Sequence, residues 1–194
     1  MNLAIIDYNA GNTKSVINAL RRLGIEPILT ADPELILQAD KVILPGVGHA
    51  GSAMAELHKR NLVEVIRSVS VPFLGVCVGM QLMMDWSEEG DTQCLSLVEG
   101  DIIKFQSKDY KIPQIGWNTV EHNESQIFKD IPQNSYFYFV HSYYLPMNKY
   151  GAATTNYIQP YHVAIQKDNL FGVQFHPEKS AQWGEKLLEN FLKI

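Results

Sequence analysis

The sequence predicts an α/β fold: an open sheet with parallel strands at its centre, helices on both faces, and a mixed or antiparallel extension. Three observations carry this. Up to about residue 85, short apolar runs alternate with segments of helical period, as in β-α-β units whose parallel strands are covered on both sides. From about residue 97 to 175 the texture changes to closely spaced strand-like runs separated by turn residues, which suits hairpins. Within the first of these regions, an apolar run ends in Gly75-Val76-Cys77-Val78-Gly79 and continues with helical period, the pattern of a tight strand-to-helix corner.

The elements follow in order. Leu3-Ala4-Ile5-Ile6 is a short apolar strand ending at Asp7, and residues 13–23 place Val16, Ile17, Leu20 and Leu23 on one helical face. A second strand is expected over 25–29, with further strands at Val42-Ile43-Leu44 and Phe73-Leu74-Gly75-Val76. Helices are expected at about 52–58, 62–69 and 78–85. In the extension the strands fall at 102–105, 136–140, 163–166 and 170–175, with Lys167-Asp168-Asn169 as a turn between the last two. A terminal helix over 181–192 buries Leu187, Leu188, Phe191 and Leu192. No repeat, linker or low-complexity tract divides the chain, so residues 1–194 are read as one domain.

Composition excludes several classes of function. With 16 basic against 21 acidic residues, a net charge of −5 and no run of Lys or Arg, nucleic acid is not an expected partner. No stretch approaches the length of a membrane span and no basic leader precedes the first strand, so the reading is cytoplasmic with no membrane association. The two cysteines are Cys77 and Cys94. Pairing them would remove a candidate nucleophile, so a reducing compartment is the simpler reading, with Cys94 an inert thiol. His49, His58, His122, His141 and His162 have no metal-ligand spacing, and neither metal nor cofactor is assigned.

The chemistry concentrates in two segments. At the corner, Gly75 and Gly79 permit angles or packing distances that a β-carbon would obstruct. Cys77 then stands at the positive end of the following helix, which favours its thiolate. Near the C-terminus, Gln174-Phe175-His176-Pro177-Glu178 delivers a histidine and a glutamate two positions apart, sharing a face if the chain is extended. Each residue alone has a plain structural explanation: a buried thiol on a turn, a strand-end histidine, a solvated acid. Together they supply a nucleophile, a proton acceptor and a group to orient the acceptor. Pro45-Gly46-Val47-Gly48 follows the strand at 42–44, so it lies on the same carboxyl edge of the sheet as Cys77. A glycine-flanked loop there offers unobstructed N–H groups for an oxyanion. It lacks the Lys and Ser/Thr of a phosphate-gripping loop.

These residues resemble the class I, triad-type glutamine amidotransferases. Asp7-Tyr8-Asn9-Ala10-Gly11-Asn12, Leu44-Pro45-Gly46-Val47-Gly48-His49, Pro113-Gln114-Ile115-Gly116-Trp117-Asn118 and Tyr138-Phe139-Val140-His141-Ser142-Tyr143 are similar to blocks in the glutaminase-subunit family of imidazole glycerol phosphate synthase. One departure is Asn9, where the family usually has glycine; asparagine best replaces glycine at left-handed backbone angles. The resemblance implies hydrolysis of L-glutamine by Cys77, His176 and Glu178, with the Val47 and Val78 amides as oxyanion donors. It implies that Gly48, Gln81, Ser142 and Tyr143 hold the substrate. It further implies a heterodimer with a (β/α)₈-barrel synthase (cyclase) subunit that receives the ammonia, docked through Gln114, Trp117, Asn118 and Tyr138. Alternatives at this stage are a paralogous glutaminase serving another ammonia-using synthase, for instance in surface-sugar amidination, a stand-alone cysteine hydrolase, and a binding-only subunit without turnover.

Overall fold

The computed structural model describes residues 1–9 and 13–194; Ala10, Gly11 and Asn12 of the first motif lie outside the described residues. The chain runs β1 (Leu3–Ile6), α1 (Thr13–Arg22), β2 (Ile28–Thr30), α2 (Pro33–Leu37), β3 (Lys41–Leu44), α3 (Ala50–Lys59), α4 (Val63–Arg67), β4 (Phe73–Val76) and α5 (Val78–Leu82). It continues through β5 (Trp86–Ser87), β6 (Thr92–Gln93), β7 (Asp101–Lys104), β8 (Gln114–His122), β9 (Ser135–His141), β10 (Tyr143–Tyr144), β11 (Gly151–Tyr157), β12 (Gln159–Lys167), β13 (Leu170–Val173) and α6 (Ala181–Lys193).

Nine strands form one sheet in the order β2-β1-β3-β4-β13-β12-β11-β8-β9. The first five run parallel, and β12, β11, β8 and β9 extend the sheet antiparallel. Helices cover both faces, as two adjacent residues of β13 demonstrate. The Phe171 ring meets Phe191 of α6, while a β-carbon on Gly172 would point at Met80 of α5, and successive strand residues face opposite sides. A smaller sheet, β10-β7-β5-β6, lies outside the large one. Among the described residues no helix is long and apolar enough to cross a membrane.

The differences from the sequence reading have local causes. Strand β2 begins at Ile28 rather than 25 because Gly24, at φ +79, ends α1 and Pro27 has no N–H for a ladder. The helix expected over 78–85 stops at Leu82, and β13 stops at Val173 rather than 175. Helix α2 escaped notice because it has only five residues, although Asp32 capping the Glu34 amide at 2.8 Å with Pro33 next is a start signal. Strand β11, Gly-Ala-Ala-Thr-Thr-Asn-Tyr, has little apolar content and owes its place to pairing with β12.

Gly79 fixes how closely α5 approaches the sheet. A β-carbon there would stand 1.9 Å from the Leu44 carbonyl oxygen, which belongs to the backbone and cannot yield. Gly79→Ala is therefore expected to destabilise the fold by about 3 kcal/mol, read as a lowered urea midpoint.

Candidate active site

Cys77 sits between β4 and α5 at φ +54, ψ −111, a conformation that costs a non-glycine residue strain and occurs mainly where the surroundings enforce it. Here its N–H donates to Val173 O at 2.8 Å and its carbonyl accepts from Gln81 N at 3.2 Å. The flanking glycines serve close packing: a β-carbon on Gly75 would meet Gly79 O and Met80 N at 2.8 Å. Asn9 stands at φ +65, the left-handed angle expected where the resembled family has glycine.

The His-Pro-Glu segment reaches its geometry by a turn and not by strand alternation. Pro177 opens a 3₁₀ turn, Pro177–Lys179, which folds Glu178 back so that its Oε1 lies 2.8 Å from His176 Nδ1. The extended-chain expectation is corrected there: proline's fixed φ suits a helical start. His176 is pinned by its N–H to Tyr138 O at 2.9 Å and by Ser180 Oγ donating to its carbonyl at 2.6 Å. With Nδ1 facing the carboxylate, Nε2 is the nitrogen left for the thiol. Burial alone lowers the His176 pKa, but hydrogen bonds to Cys77 and Glu178, with the charges of both, outweigh it and raise the value to about 10. Such a raised pKa stabilises the fold fully below the unfolded value of about 6.5, and that contribution is lost as pH rises through about 10.

A cavity of about 270 Å³ opens over the sulfur, lined by Val47, Gly48, Cys77, Val78, Gln81, Ser142, Tyr143 and His176. All eight are residues that the sequence nominated. Glu178 stands behind His176, its side chain almost fully buried. Gln81 Nε2 donates to Tyr143 O at 3.2 Å and to Gln174 Oε1 at 2.9 Å, and Gln174 Nε2 lies 3.8 Å from Cys77 Sγ. The sequence reading assigned no role in the site to five further lining residues, Glu89, Pro113, Val140, His141 and Lys179. Glu89 lies on the turn between β5 and β6, with Oε2 accepting from Ala50 N at 2.7 Å; the acidic pair Glu88-Glu89 beside Gly90 was its only signal.

The two proposed oxyanion amides do not converge in this structure. Val78 N donates to Gly46 O at 3.3 Å. In a trans peptide the C=O and the next N–H point opposite ways, so the Val47 N–H is aimed away from the Val78 amide. Tyr8 Oη donates to Pro45 O at 2.7 Å and anchors the start of this loop. Cys94 is buried, and burial together with the charge of Asp85 pushes its pKa up to about 12, which leaves it unreactive at neutral pH.

Strands β8 and β9 place the residues expected at a docking face. Trp117 is 52% exposed and Ile115 64%, and Trp117 packs edge-on against Tyr138 with centroids 5.9 Å apart. Packing of this tryptophan into the core is thereby excluded. Asn118 Nδ2 donates to Asn156 O at 3.1 Å. Strand alternation turns Gln114 and Asn118 to the face opposite Ile115 and Trp117; Gln114 is buried there against Tyr161, and Asn118 stays half-buried.

The family profile Glutamine amidotransferase class-I matches residues 4–194. Curated relatives named imidazole glycerol phosphate synthase subunit HisH are 46% identical in Bacteroides thetaiotaomicron, covering 100% of both chains, and 44% identical in Vibrio cholerae, covering 100% of this chain and 98% of the relative. Among solved structures, a glutamine amidotransferase superimposes with a TM-score of 0.76 at 17% identity over 98% of this chain and 97% of its own. PurLQS from Thermotoga maritima gives 0.73 at 16% identity, over 99% of this chain and 97% of the matched one. At such identities the structures support the fold alone.

Proposed function

This chain belongs to the glutamine amidotransferase class-I family, and on that premise we propose that residues 1–194 act as one glutaminase domain, hydrolysing L-glutamine and passing the ammonia to a cyclase subunit in histidine biosynthesis. The observation that carries this reading is the meeting of Cys77 and His176 on one cavity walled by Gln81, Ser142 and Tyr143, with Glu178 behind His176 at 2.8 Å from its Nδ1.

The steps follow from the geometry. His176 Nε2 takes the Cys77 proton, helped by Glu178 at Nδ1, and the thiolate attacks the side-chain amide carbon of glutamine. The amide oxygen becomes an oxyanion, to be held by the Val47 and Val78 amides. Collapse breaks the C–N bond, and His176 returns its proton to the departing ammonia. A glutamyl thioester remains on Cys77, and water activated by His176 hydrolyses it to glutamate and free thiol. Glu89, fixed at the cavity wall by the Ala50 amide, complements the α-ammonium of the substrate, and Gly48 with the Ser142 and Tyr143 backbone faces its α-carboxylate end. The partner is a (β/α)₈-barrel cyclase docked as a heterodimer on Trp117, Asn118 and Tyr138, with Gln114 behind that face.

The test is to incubate the purified complex with glutamine and follow glutamate and ammonia; no release overturns the reading. Trp117→Ala is expected to weaken binding to the cyclase subunit by about 2 kcal/mol, as loss of an aromatic anchor does. Titration calorimetry with the cyclase measures this directly.

A further inference from the structure

His141 lies on β9 opposite Gln114 of β8 in the strand register, and both side chains are buried. His141 Nδ1 is 2.8 Å from Tyr143 O, and Nε2 is 3.0 Å from Tyr161 Oη. Tyr161 Oη is in turn 2.7 Å from Gln114 Oε1. The same Tyr143 carbonyl accepts from Gln81 Nε2, and Gln81, His141, Ser142 and Tyr143 all line the candidate active site.

Counting protons along these three links decides how the chain is wired. A carbonyl only accepts, so the first link takes its proton from Nδ1. A neutral imidazole has no second proton, so Nε2 is a lone pair and the Tyr161 hydroxyl donates to it. The single hydroxyl proton is then committed, and Gln114 must offer its NH₂ to Tyr161, a reversal of the amide that leaves its shape unchanged. A cationic ring would satisfy all three links with Gln114 as an acceptor. Burial works against that form: aided by the nearby His176 and opposed by the Tyr143 hydrogen bond, it pushes the His141 pKa down to about 4.

We propose that His141, locked as the Nδ1–H tautomer by Tyr161 and Gln114, is a positioning residue that fixes the Tyr143 carbonyl, and through it the Gln81 amide and the backbone that walls the substrate. The part of this that concerns substrate rests on the glutaminase reading given above. The wiring itself does not. The tautomer gives the device its direction: if the proton sat on Nε2, a lone pair would face the Tyr143 carbonyl, and the two acceptors would push the 142–143 backbone out of place.

Two measurements test it. In the full wild-type chain labelled at its imidazole nitrogens, long-range proton–nitrogen NMR at neutral pH is expected to show His141 as neutral Nδ1–H. A ring protonated on Nε2, or on both nitrogens, overturns the proposal. The second uses Tyr161→Phe, which removes one oxygen and keeps the aromatic packing against Phe105 and Tyr144. Cys77 is alkylated with iodoacetamide over a range of glutamine concentrations, each protein normalised to its own rate without glutamine. The glutamine midpoint for protection is expected to rise about tenfold, since a buried acceptor on His141 loses its donor. A purely structural role would lower the melting temperature and leave the midpoint and the tautomer unmoved; a midpoint within about twofold of wild type overturns the proposal. If glutamine fails to protect even the wild type, the glutaminase reading has failed, and the tautomer alone then decides the wiring.

Discussion

Cys77→Ser reduces glutamine turnover to below about one part in 10⁴ of wild type, because serine at neutral pH lacks a thiolate's nucleophilicity and a single missing member disables the catalytic unit. The substitution leaves the fold intact. The φ of +54 at this position strains serine and cysteine alike, and the backbone bonds from Val173 and Gln81 that enforce it are independent of the side chain. His176→Ala falls to a comparable level. Glu178→Gln costs less, since a glutamine amide still reaches Nδ1 across the 2.8 Å spacing and orienting the ring is secondary to supplying it. Ammonia release by the three variants, alongside their thermal melts, measures the series. Wild-type-like turnover by Cys77→Ser, in a folded protein, sinks the mechanism.

The second large effect is activation by the partner. With Gly46 O accepting the Val78 amide at 3.3 Å, an oxyanion formed on Cys77 meets a carbonyl where a donor is required. Turning the 46–47 peptide would release Val78 N and bring Val47 N–H round to the same side. Glycine supplies the freedom for this: Gly46 leaves its own ψ unrestricted, and Gly48 stands at φ +95 with no atom within 4 Å of where a β-carbon would be. One oxyanion donor is worth about 10²–10³ in rate. The isolated chain is therefore expected to hydrolyse glutamine slowly, and the complex with the ligand-bound cyclase to run at least about 10²-fold faster. Equal rates for the chain alone and for the complex overturn the switching loop and favour a stand-alone hydrolase.

How far the site was legible depended on whether each signal was local. Gly75-Val76-Cys77-Val78-Gly79 announced the corner because a close helix–strand approach needs missing β-carbons, and Gly79 against the Leu44 carbonyl is that approach. His176 and Glu178 were legible as a pair, although the turn that joins them was mistaken for a strand. Glu89, His141 and Gln174 were not legible, because their roles depend on contacts from distant strands: Gln174 lies 97 positions from the sulfur it touches.

The sequence by itself determined the parallel core and nominated Cys77 and His176 as nucleophile and base, since apolar periodicity and glycine punctuation are written within a few residues of the structure that they form. Only the tertiary structure decided which amides face the sulfur, which side of β8 is wet, and where the protons lie along Gln114, Tyr161 and His141. In each of those cases the governing quantity is a distance between segments far apart in the chain. Backbone rotation, strand alternation and burial set that distance together, and no single stretch of sequence contains it.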